Sequence, residues 1–388
     1  IKGQLPQIII HSAQDCQIEN EDNINFLQAL DQHLSYKVQG AEYMSSYQFG
    51  KWDGLQRLLR SELVFPYGLL ERVKEFYKQW NRSFSILDQR SPKELNLSID
   101  ILPRLKELNK DPYFYQLNAL DVTKQFDCGI LKLATGAGKS NLSALITANF
   151  GKRTIIYVIG KGLMYQFHKL YSSLFQDHKI GIIGDGLCDI QEINIASIWT
   201  VAQVFDLKNN LIIDDYDLDK EKSITQDKYD QIKDLMRTAK VHIFDECHMA
   251  ACKTIQTIAS NINPEHIYGM SASPWRDDGA DLMIESILGK NLIDISASYL
   301  IEHGFLTQPF IKFRVVPKFH EKLPKNYHTI HKRYIVENEV RNKIILEDLL
   351  AMVNAGYKPL ILFNIVKHGD LLFNLCKDKL PISLLSGK

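Results

Sequence analysis

The chain has 388 residues, of which 45% are hydrophobic and 24% are charged, a composition typical of globular proteins with two or three domains. Its 46 basic residues balance its 46 acidic residues, which excludes a uniformly basic surface for nucleic acid. Any nucleic-acid contact must therefore come from a local patch of positive charge.

The six cysteines are scattered and none forms a Cys-x-x-Cys pair, which favours a reducing, cytoplasmic compartment over a disulfide framework. His242, Cys247, His248 and Cys252 lie close together, but they adjoin a strand that ends in two acids, so we disfavour a zinc site there. No apolar run approaches the length of a membrane span, and no signal-peptide pattern opens the chain. Because residue 1 is Ile, we expect the start to be trimmed.

The first 95 residues predict a small α/β module. Its expected elements are a strand at 8–10, a helix at 21–34, a hairpin at 43–54, a turn at 63–68 and an amphipathic helix at 69–80. The hairpin follows from aromatic residues that alternate with small and polar residues before Asp53-Gly54. A charged linker, 91–112, follows the module and is bracketed by prolines.

Three cations near the expected hairpin, Lys51, Arg57 and Arg60, are candidates for contacts with nucleic-acid phosphates. Trp52 lies between them, and packing in a small core is the interpretation that we favour for its side chain.

The segment from Ile130 to Ile146 predicts a strand, a small-residue turn and the start of a helix. Backbone N–H groups in such a turn, together with the helix N-terminus, bind phosphates. Lys139 is expected to reach the β- and γ-phosphates, and the Ser140 hydroxyl is expected to bind Mg²⁺. The loop that would hold the nucleotide comprises Thr135, Gly136, Ala137, Gly138, Lys139 and Ser140. The strict phosphate-loop pattern has Gly where this chain has Leu133, and a turn that binds nothing is the alternative.

Two further strands are predicted at 154–159 and 193–198. The residues that follow them include Lys161, Gln166, Ser197 and Thr200, whose polar groups suit contacts with a nucleic-acid backbone. Ordinary polar strand ends are an equally good interpretation of each residue alone. An acidic stretch and a surface helix are expected at 209–240, without chemistry of their own.

The apolar run from Val241 ends in Asp245 and Glu246. Asp245 at a strand tip can hold the Mg²⁺ that Ser140 also binds. Glu246 can act as the general base that polarises the attacking water. A solvated acid pair is the alternative, but the upstream phosphate loop favours catalysis.

The segment 266–279 reads as a strand followed by Ser-Ala-Ser-Pro-Trp-Arg-Asp-Asp-Gly. Beyond it we expect strands at 310–316, 358–364 and 384–387, and helices at 339–353 and from Val366 onward. Alternation of strands and helices through most of the chain predicts a parallel α/β sheet, with a ligand at the carboxyl ends of its strands.

The Asp245-Glu246-Cys247-His248 sequence resembles the DExH box of superfamily-two helicases, and the chain is most similar to their UvsW-like recombination members from phages. The N-terminal Gly50-x-Trp52-Asp53-Gly54 element carries the second half of this resemblance. The resemblance implies an α/β fold: a RecA-like motor domain, the start of a second RecA-like domain and a small α/β accessory domain that contacts DNA. The expected ranges are 1–95 for the accessory domain, 96–306 for the motor and 307–388 for the second domain.

The resemblance also assigns residues. Gln116, in a Tyr-Gln element upstream of the loop, would read adenine, because its amide both donates and accepts hydrogen bonds. Coupling between the phosphate state and the DNA side would involve four residues: His248, Ser271, Ser273 and Arg276. The family's arginine finger and the remaining second-domain motifs lie beyond residue 388, so the chain as given is expected to hydrolyse ATP poorly.

The function that the resemblance implies is ATP- and Mg²⁺-dependent translocation or unwinding of branched or duplex DNA during recombination, repair or replication. Its partners would be DNA and recombination or replication proteins, in the host cytoplasm if a phage encodes the chain. Single-stranded DNA or RNA is the lesser alternative. Two other functions fit the motor motifs. One is the motor subunit of a restriction or repair translocase, and the other is an ATP-gated binding module that does not hydrolyse ATP.

Overall fold

The computed structural model describes residues 5–93, 96–205, 225–248, 253–274, 281–317 and 326–385. The chain divides into two compact units, Ile1–Thr307 and Gln308–Lys388. Every strand within the described ranges belongs to the first unit.

Residues 7–88 form a small α/β module within that first unit. Its strands are β1 (Gln7–Ile10), β2 (Asp15–Glu19), β3 (Ser35–Lys37), β4 (Leu55–Arg57), β5 (Val64–Pro66) and β6 (Ser85–Asp88), and its helices are α1 (Ile24–His33), α2 (Ser45–Gln48) and α3 (Leu70–Gln79). Four strands pair in the order β5-β2-β1-β6, with only β1 and β6 parallel. Strands β3 and β4 form a separate antiparallel pair. Phe26, Leu30 and Phe65 are fully buried in a core that Leu282 also enters.

The hairpin predicted at 43–54 is wrong. Residues 41–43 form a short 3-10 turn and α2 follows, so the aromatic segment is the connection between β3 and β4. Tyr43 and Tyr47 are four residues apart, and this helical spacing outweighs the alternation that suggested strands. The turn at Asp53-Gly54 is real, because the Leu55 N–H donates to Asp53 Oδ1 at 3.1 Å, directly before β4.

The rest of the first unit is built on an eight-stranded sheet. Its strands are β7 (Cys128–Leu133), β8 (Thr154–Val158), β9 (Ile180–Gly184), β10 (Leu187–Asp189), β11 (Ile193–Ser197), β12 (Val241–Asp245), β13 (His266–Ser271) and β14 (Asn291–Ile295). They lie in the order β10-β9-β11-β8-β12-β13-β7-β14, and only β10 is antiparallel to its neighbour. The carboxyl ends of the parallel strands therefore meet at one edge.

Helices cover both faces of this sheet: α4 (Leu102–Glu107), α5 (Phe114–Thr123), α6 (Lys139–Phe150), α7 (Lys161–Leu174), α8 (Ile198–Gln203), α9 (Tyr229–Thr238), α10 (Lys253–Ala259), α11 (Asp281–Leu288) and α12 (Ala297–Glu302). Consecutive strand residues enter opposite cores: Leu131 and Ile156 face one, and Ile130 and Ile155 face the other. A strand buried on both faces must be apolar throughout, which is why these runs were readable in the sequence. The predicted RecA-like α/β sheet is confirmed.

The second unit contains α13 (Tyr327–His331), α14 (Glu339–Asn354) and α15 (Val366–Cys376). The helices predicted at 339–353 and from Val366 are present, but the strands predicted at 310–316 and 358–364 are not. Phe310 is 92% exposed and Leu362 is 84% exposed. An apolar run becomes a strand only when neighbouring strands satisfy its backbone, and the described residues of this unit offer none. Residues 384–385 are also outside any strand, and residues 386–387 lie outside the described residues.

Five of the six cysteines lie among the described residues, and all five are free thiols: Cys16, Cys128, Cys188, Cys247 and Cys376. Burial raises the pKa of each thiol. Within the described ranges, no helix is both long and apolar enough to cross a membrane.

Candidate nucleotide site

The phosphate loop lies between β7 and α6, at the carboxyl edge of the large sheet. Gly136 has a φ of +86° and Gly138 has a φ of +76°, a left-handed conformation that favours glycine. Thr135 and Gly136 are exposed, Ala137 is buried, and Lys139 begins α6. A Cβ on Gly136 would lie 2.8 Å from Cδ2 of Leu306, so a larger residue there would displace the end of the Leu306 side chain.

Gln116 holds this loop in place. Its side chain is buried, and its Nε2 donates to the carbonyls of Ala137 at 3.0 Å and Gly138 at 3.2 Å. Its Oε1 accepts from the Tyr113 N–H at 2.9 Å, which caps α5. Both ends of the amide are therefore bonded to the protein, whereas the sequence predicted that they would read adenine. Adenine recognition by Gln116 would require these bonds to be exchanged.

Lys139, Asp245 and Glu246 meet at the end of β12. Lys139 Nζ lies 3.1 Å from Glu246 Oε1, and this ion pair is partly shielded, since the two side chains are 16% and 30% exposed. Asp245, the last residue of β12, is 6% exposed. Glu246 has a φ of +53°, and a left-handed glutamate is a strained conformation that this turn imposes.

The two neighbouring acids have opposite pKa shifts. Burial, and after it the charge of Glu246, raise the pKa of Asp245 to about 6. The hydrogen bond from His248, and after it Lys139, lower the pKa of Glu246 to about 2. Neighbouring groups with pKa values pushed apart are typical of acid–base sites.

His248 and Ser271 connect this pair to the next strand. Ser271 Oγ donates to Glu246 Oε2 at 3.3 Å, and His248 Nδ1 lies 3.2 Å from Ser271 Oγ. The Ser273 N–H donates to the same hydroxyl at 3.2 Å, while the Ser273 side chain is exposed. The coupling residues predicted at 248 and 271 are therefore adjacent to Glu246, and Ser273 joins them through its backbone. Arg276 lies outside the described residues.

Ser140 and Asp245 fit the chemistry of a magnesium site. Both supply oxygen, the ligand that Mg²⁺ prefers, and the buried Asp245 carboxylate has no ion pair within the described part of the chain. A divalent cation would remove the cost of ionising that carboxylate. No cluster of three or more His, Cys, Asp or Glu that could hold a metal is found in the described ranges; for Mg²⁺, phosphate and water supply most ligands.

The residues predicted to contact nucleic acid in the motor are not equivalent. Ser197 and Thr200 are both fully buried, so their side chains lack the exposure that phosphate contacts need. Lys161 begins α7 and is partly exposed. Gln166 is exposed, but it lines a cavity of about 380 Å³ together with Ser140, next to the phosphate loop.

In the N-terminal module, Lys51 is exposed. Arg57 pairs with Asp53 and, at 3.1 Å, with Asp31, and Arg60 pairs with Asp15. Both predicted guanidinium contacts would therefore compete with carboxylates of the module. The Trp52 indole N–H donates to the Leu55 carbonyl at 2.9 Å.

Two other contacts, of the loop and of the start of α6, have no signal in the sequence. Tyr115 Oη donates to the Ala137 carbonyl at 3.1 Å. Tyr171 Oη donates to Ser143 Oγ at 2.9 Å, and Ser143 Oγ donates to the Ser140 carbonyl at 2.8 Å. These two consecutive hydrogen bonds join α7 to the first turn of α6. Helical spacing places Tyr171 on the buried face of α7, but the partner of its hydroxyl depends on tertiary packing.

Residues 73–276 match the family model of the type III restriction enzyme, res subunit, and residues 7–87 match that of the DNA helicase UvsW, N-terminal. The chain is 25% identical over 366 residues to the ATP-dependent DNA helicase uvsW of Enterobacteria phage T4, and the match covers 89% of this chain and 68% of that protein.

Two crystal structures of bacteriophage T4 UvsW share the fold. One has a TM-score of 0.54 and 21% identity, and covers 74% of this chain and 99% of that structure. The other has a TM-score of 0.55 and 19% identity, and covers 97% of this chain and 74% of that structure.

A RecA-like sheet with a phosphate loop and a DExH strand end defines an ATP-hydrolysing motor of helicase superfamily two. The chain belongs to the family that the type III restriction enzyme res-subunit model describes, and it is a UvsW-like member of superfamily two.

Proposed function

We propose that this protein is a DNA helicase or translocase that remodels branched or duplex DNA in recombination, repair or replication. The observation that carries the proposal is the contact of Lys139, Glu246, Ser271 and His248 beside the phosphate loop. This arrangement links a hydrolytic centre to the strand end that leads into α11. The relative from phage T4, named a DNA helicase, supports DNA as the substrate.

ATP hydrolysis follows from the roles of these residues. Lys139 leaves Glu246 to bind the β- and γ-phosphates of ATP, while the loop amides hold their oxygens. Loss of that ammonium neighbour raises the pKa of Glu246 and makes its carboxylate a stronger base for the attacking water. Ser140 and Asp245 would hold Mg²⁺, which neutralises charge on the phosphates.

On the nucleic-acid side, Lys51 and Lys161 are the cations best suited to phosphate contacts, because they are exposed or partly exposed and form no ion pair within the described residues. Ser197 and Thr200 are less suited because their side chains are buried. Gln166 is less suited because it lines the cavity beside the phosphate loop. Backbone contacts of this kind do not read sequence, so recognition would depend on the shape of the DNA.

A restriction or repair translocase motor is the second candidate, because the res-subunit model matches residues 73–276. The two candidates differ in whether the motor separates the strands of duplex DNA. Strand separation by the purified protein, with no added partner, would decide for the helicase.

The test is steady-state ATPase of the full-length protein with no nucleic acid, single-stranded DNA, duplex DNA, branched DNA or RNA. Stimulation by branched or duplex DNA is expected, with Lys139→Ala as the inactive control. Stimulation by RNA alone would overturn the substrate, and no stimulation would leave an ATPase of another function.

A further inference from the structure

The N-terminal module is anchored to α11, the helix that follows the Ser271–Ser273 motif. Arg72 of α3 donates from Nε to Glu285 Oε1 at 3.0 Å and from Nη2 to Glu285 Oε2 at 2.5 Å. The Glu285 side chain is only 12% exposed. A two-pronged pair of this kind fixes orientation as well as distance.

The backbones of the module and α11 also touch. A Cβ on Gly68 would overlap the carbonyl oxygens of Glu285 and Ser286, so no residue larger than glycine fits between them. Leu282 of α11 is buried in the core of the module. Helix α11 is therefore shared between the module and the motor.

The other side of α11 reaches the catalytic strand end. A Cβ on Gly269 of β13 would lie 2.5 Å from Leu288 Cδ1 and 2.7 Å from Cys247 Cβ. Leu288 and Cys247 thus pack on the same glycine, and Cys247 directly follows Glu246. Close-packed contacts run from Arg72 through α11 and Gly269 to the general base.

The module also holds the helix that follows the DExH box. Gln14 Nε2 donates to the carbonyls of Ala259 at 3.2 Å and Ile262 at 2.6 Å, at the end of α10. Both helices that follow the catalytic and coupling motifs therefore contact the module.

We infer that Arg72 is a positioning residue, which through α11 makes ATP hydrolysis at Glu246 depend on the nucleic acid bound by the N-terminal module. The inference rests on the proposed function, in which this module contacts DNA. The module and the base are joined by packing that has little room to adjust. A shift of the module on DNA therefore moves α11, Gly269 and the turn that holds Glu246.

The experiment compares Arg72→Gln with Lys74→Gln in the full-length protein. Lys74 lies on the same helix, but its ion pair with Glu71 stays within α3. Three quantities are measured for each variant: DNA affinity by fluorescence anisotropy, ATPase without DNA, and ATPase at saturating DNA. We expect Arg72→Gln to keep the DNA affinity and the basal ATPase rate of the wild type. Its ATPase rate at saturating DNA should be about tenfold lower, which is a typical coupling between two sites. Lys74→Gln should behave as the wild type.

A charge exchange separates coupling from structural damage. The double variant Arg72→Glu with Glu285→Arg should recover at least half of the stimulation, since the pair is re-formed in reverse. If Arg72→Gln does not fold, Arg72→Lys takes its place, because lysine keeps the charge but cannot form the two-pronged pair with Glu285. This variant should lose part of the DNA stimulation, and its melting temperature should be unchanged.

Full stimulation in folded Arg72→Gln or Arg72→Lys would overturn the inference. An equal loss of basal and stimulated ATPase would also overturn it, because that result indicates a structural role. Absence of DNA stimulation in the wild type would instead overturn the proposed function.

Discussion

Two adjacent acids at the end of β12 have opposite electrostatic environments. Asp245 is buried without a cationic partner among the described residues, whereas Glu246 is held by Lys139, His248 and Ser271. Burial favours the neutral form of Asp245, and hydrogen bonds and cations favour the ionised form of Glu246. One acid is therefore ready for a divalent cation, and the other is ionised at neutral pH as a base must be.

Replacing Asp245 by Asn should stabilise the protein in the absence of nucleotide. The pKa of Asp245 is raised to about 6, so the folded state resists an ionisation that the unfolded chain completes near its ordinary pKa. The gain from Asp245→Asn should grow from pH 4 to pH 6 and level off above pH 6, at roughly 2–3 kcal/mol. Denaturant unfolding from pH 4 to pH 8 measures it, and a gain that is constant with pH would contradict the assignment.

The affinity for Mg²⁺-ATP should depend on pH through the same Asp245 carboxylate, and it should fall as the pH falls. Below pH 6 a proton competes for the Asp245 carboxylate, so the apparent affinity for Mg²⁺-ATP should fall about tenfold for each pH unit. Titration with a fluorescent nucleotide at pH 5 to 8 tests this dependence. Asp245→Asn, which has no proton to release, should give a flatter profile.

Replacing Glu246 by Gln should remove the base and keep the nucleotide. The amide keeps the size of the side chain but accepts no proton, so kcat should fall about 10²- to 10⁴-fold while ATP affinity is retained. Single-turnover hydrolysis and nucleotide binding distinguish these effects. Turnover at the wild-type rate would remove Glu246 from this role.

At the scale of elements, prediction from the sequence worked where burial alone decides structure. The strands of the large sheet are buried on both faces, so each reads as an unbroken apolar run, such as Val241–Asp245. Prediction failed for the segment 43–54, because the spacing of its aromatic residues fits both a helix and a strand. It also failed at 310–316, where an apolar run has no neighbouring strand within the described residues.

In the site, the sequence indicated the loop and the two acids because their residue types follow strand ends, whereas the coupling residues His248 and Ser271 came from the resemblance to the DExH helicases. The commitment of Gln116 to loop carbonyls could not be read, since hydrogen-bond partners depend on the tertiary arrangement. The burial of Ser197 and Thr200 was missed for a related reason. Short hydroxyl side chains occur both inside packed helices and at surfaces, so their residue type does not predict their burial.

The contact of α11 with β13 should tolerate no added carbon at Gly269. In Gly269→Ala, the new Cβ would meet Leu288 Cδ1 and Cys247 Cβ, and overpacking of this kind costs about 1–3 kcal/mol. Adding Leu288→Ala should recover only part of the loss, because the Cys247 contact persists. Unfolding free energies of the two single variants and the double variant check this. Simple addition of the single effects would contradict the shared contact.

At the scale of the whole molecule, the N-terminal module and the motor form one compact unit, Ile1–Thr307. They share the apolar contact of Leu282 and the ion pair between Arg72 and Glu285. Removing the module would expose Leu282 and leave Glu285 without its partner Arg72. Deletion of the module therefore changes stability as well as function.

A motor that lacks residues 1–95 should unfold at a temperature at least about 5 °C lower than the full-length protein. Its DNA affinity should also fall more than its ATP affinity, because Lys51 is lost while the loop at 135–140 is retained. Thermal unfolding and separate binding titrations measure both. An unchanged melting temperature would contradict the shared core, and an unchanged DNA affinity would contradict the role of the module.

The raised pKa values of the five described thiols have a practical consequence for studies of motion. A cysteine reacts as its thiolate, and burial suppresses that form at all five described positions, Cys16, Cys128, Cys188, Cys247 and Cys376. A cysteine introduced at the exposed Asn25 of α1, away from Lys51, would therefore react with maleimide dyes faster than these five, once Cys252 has been replaced by Ser. The protein thus allows a single dye on the N-terminal module, from which stepping can be followed one molecule at a time.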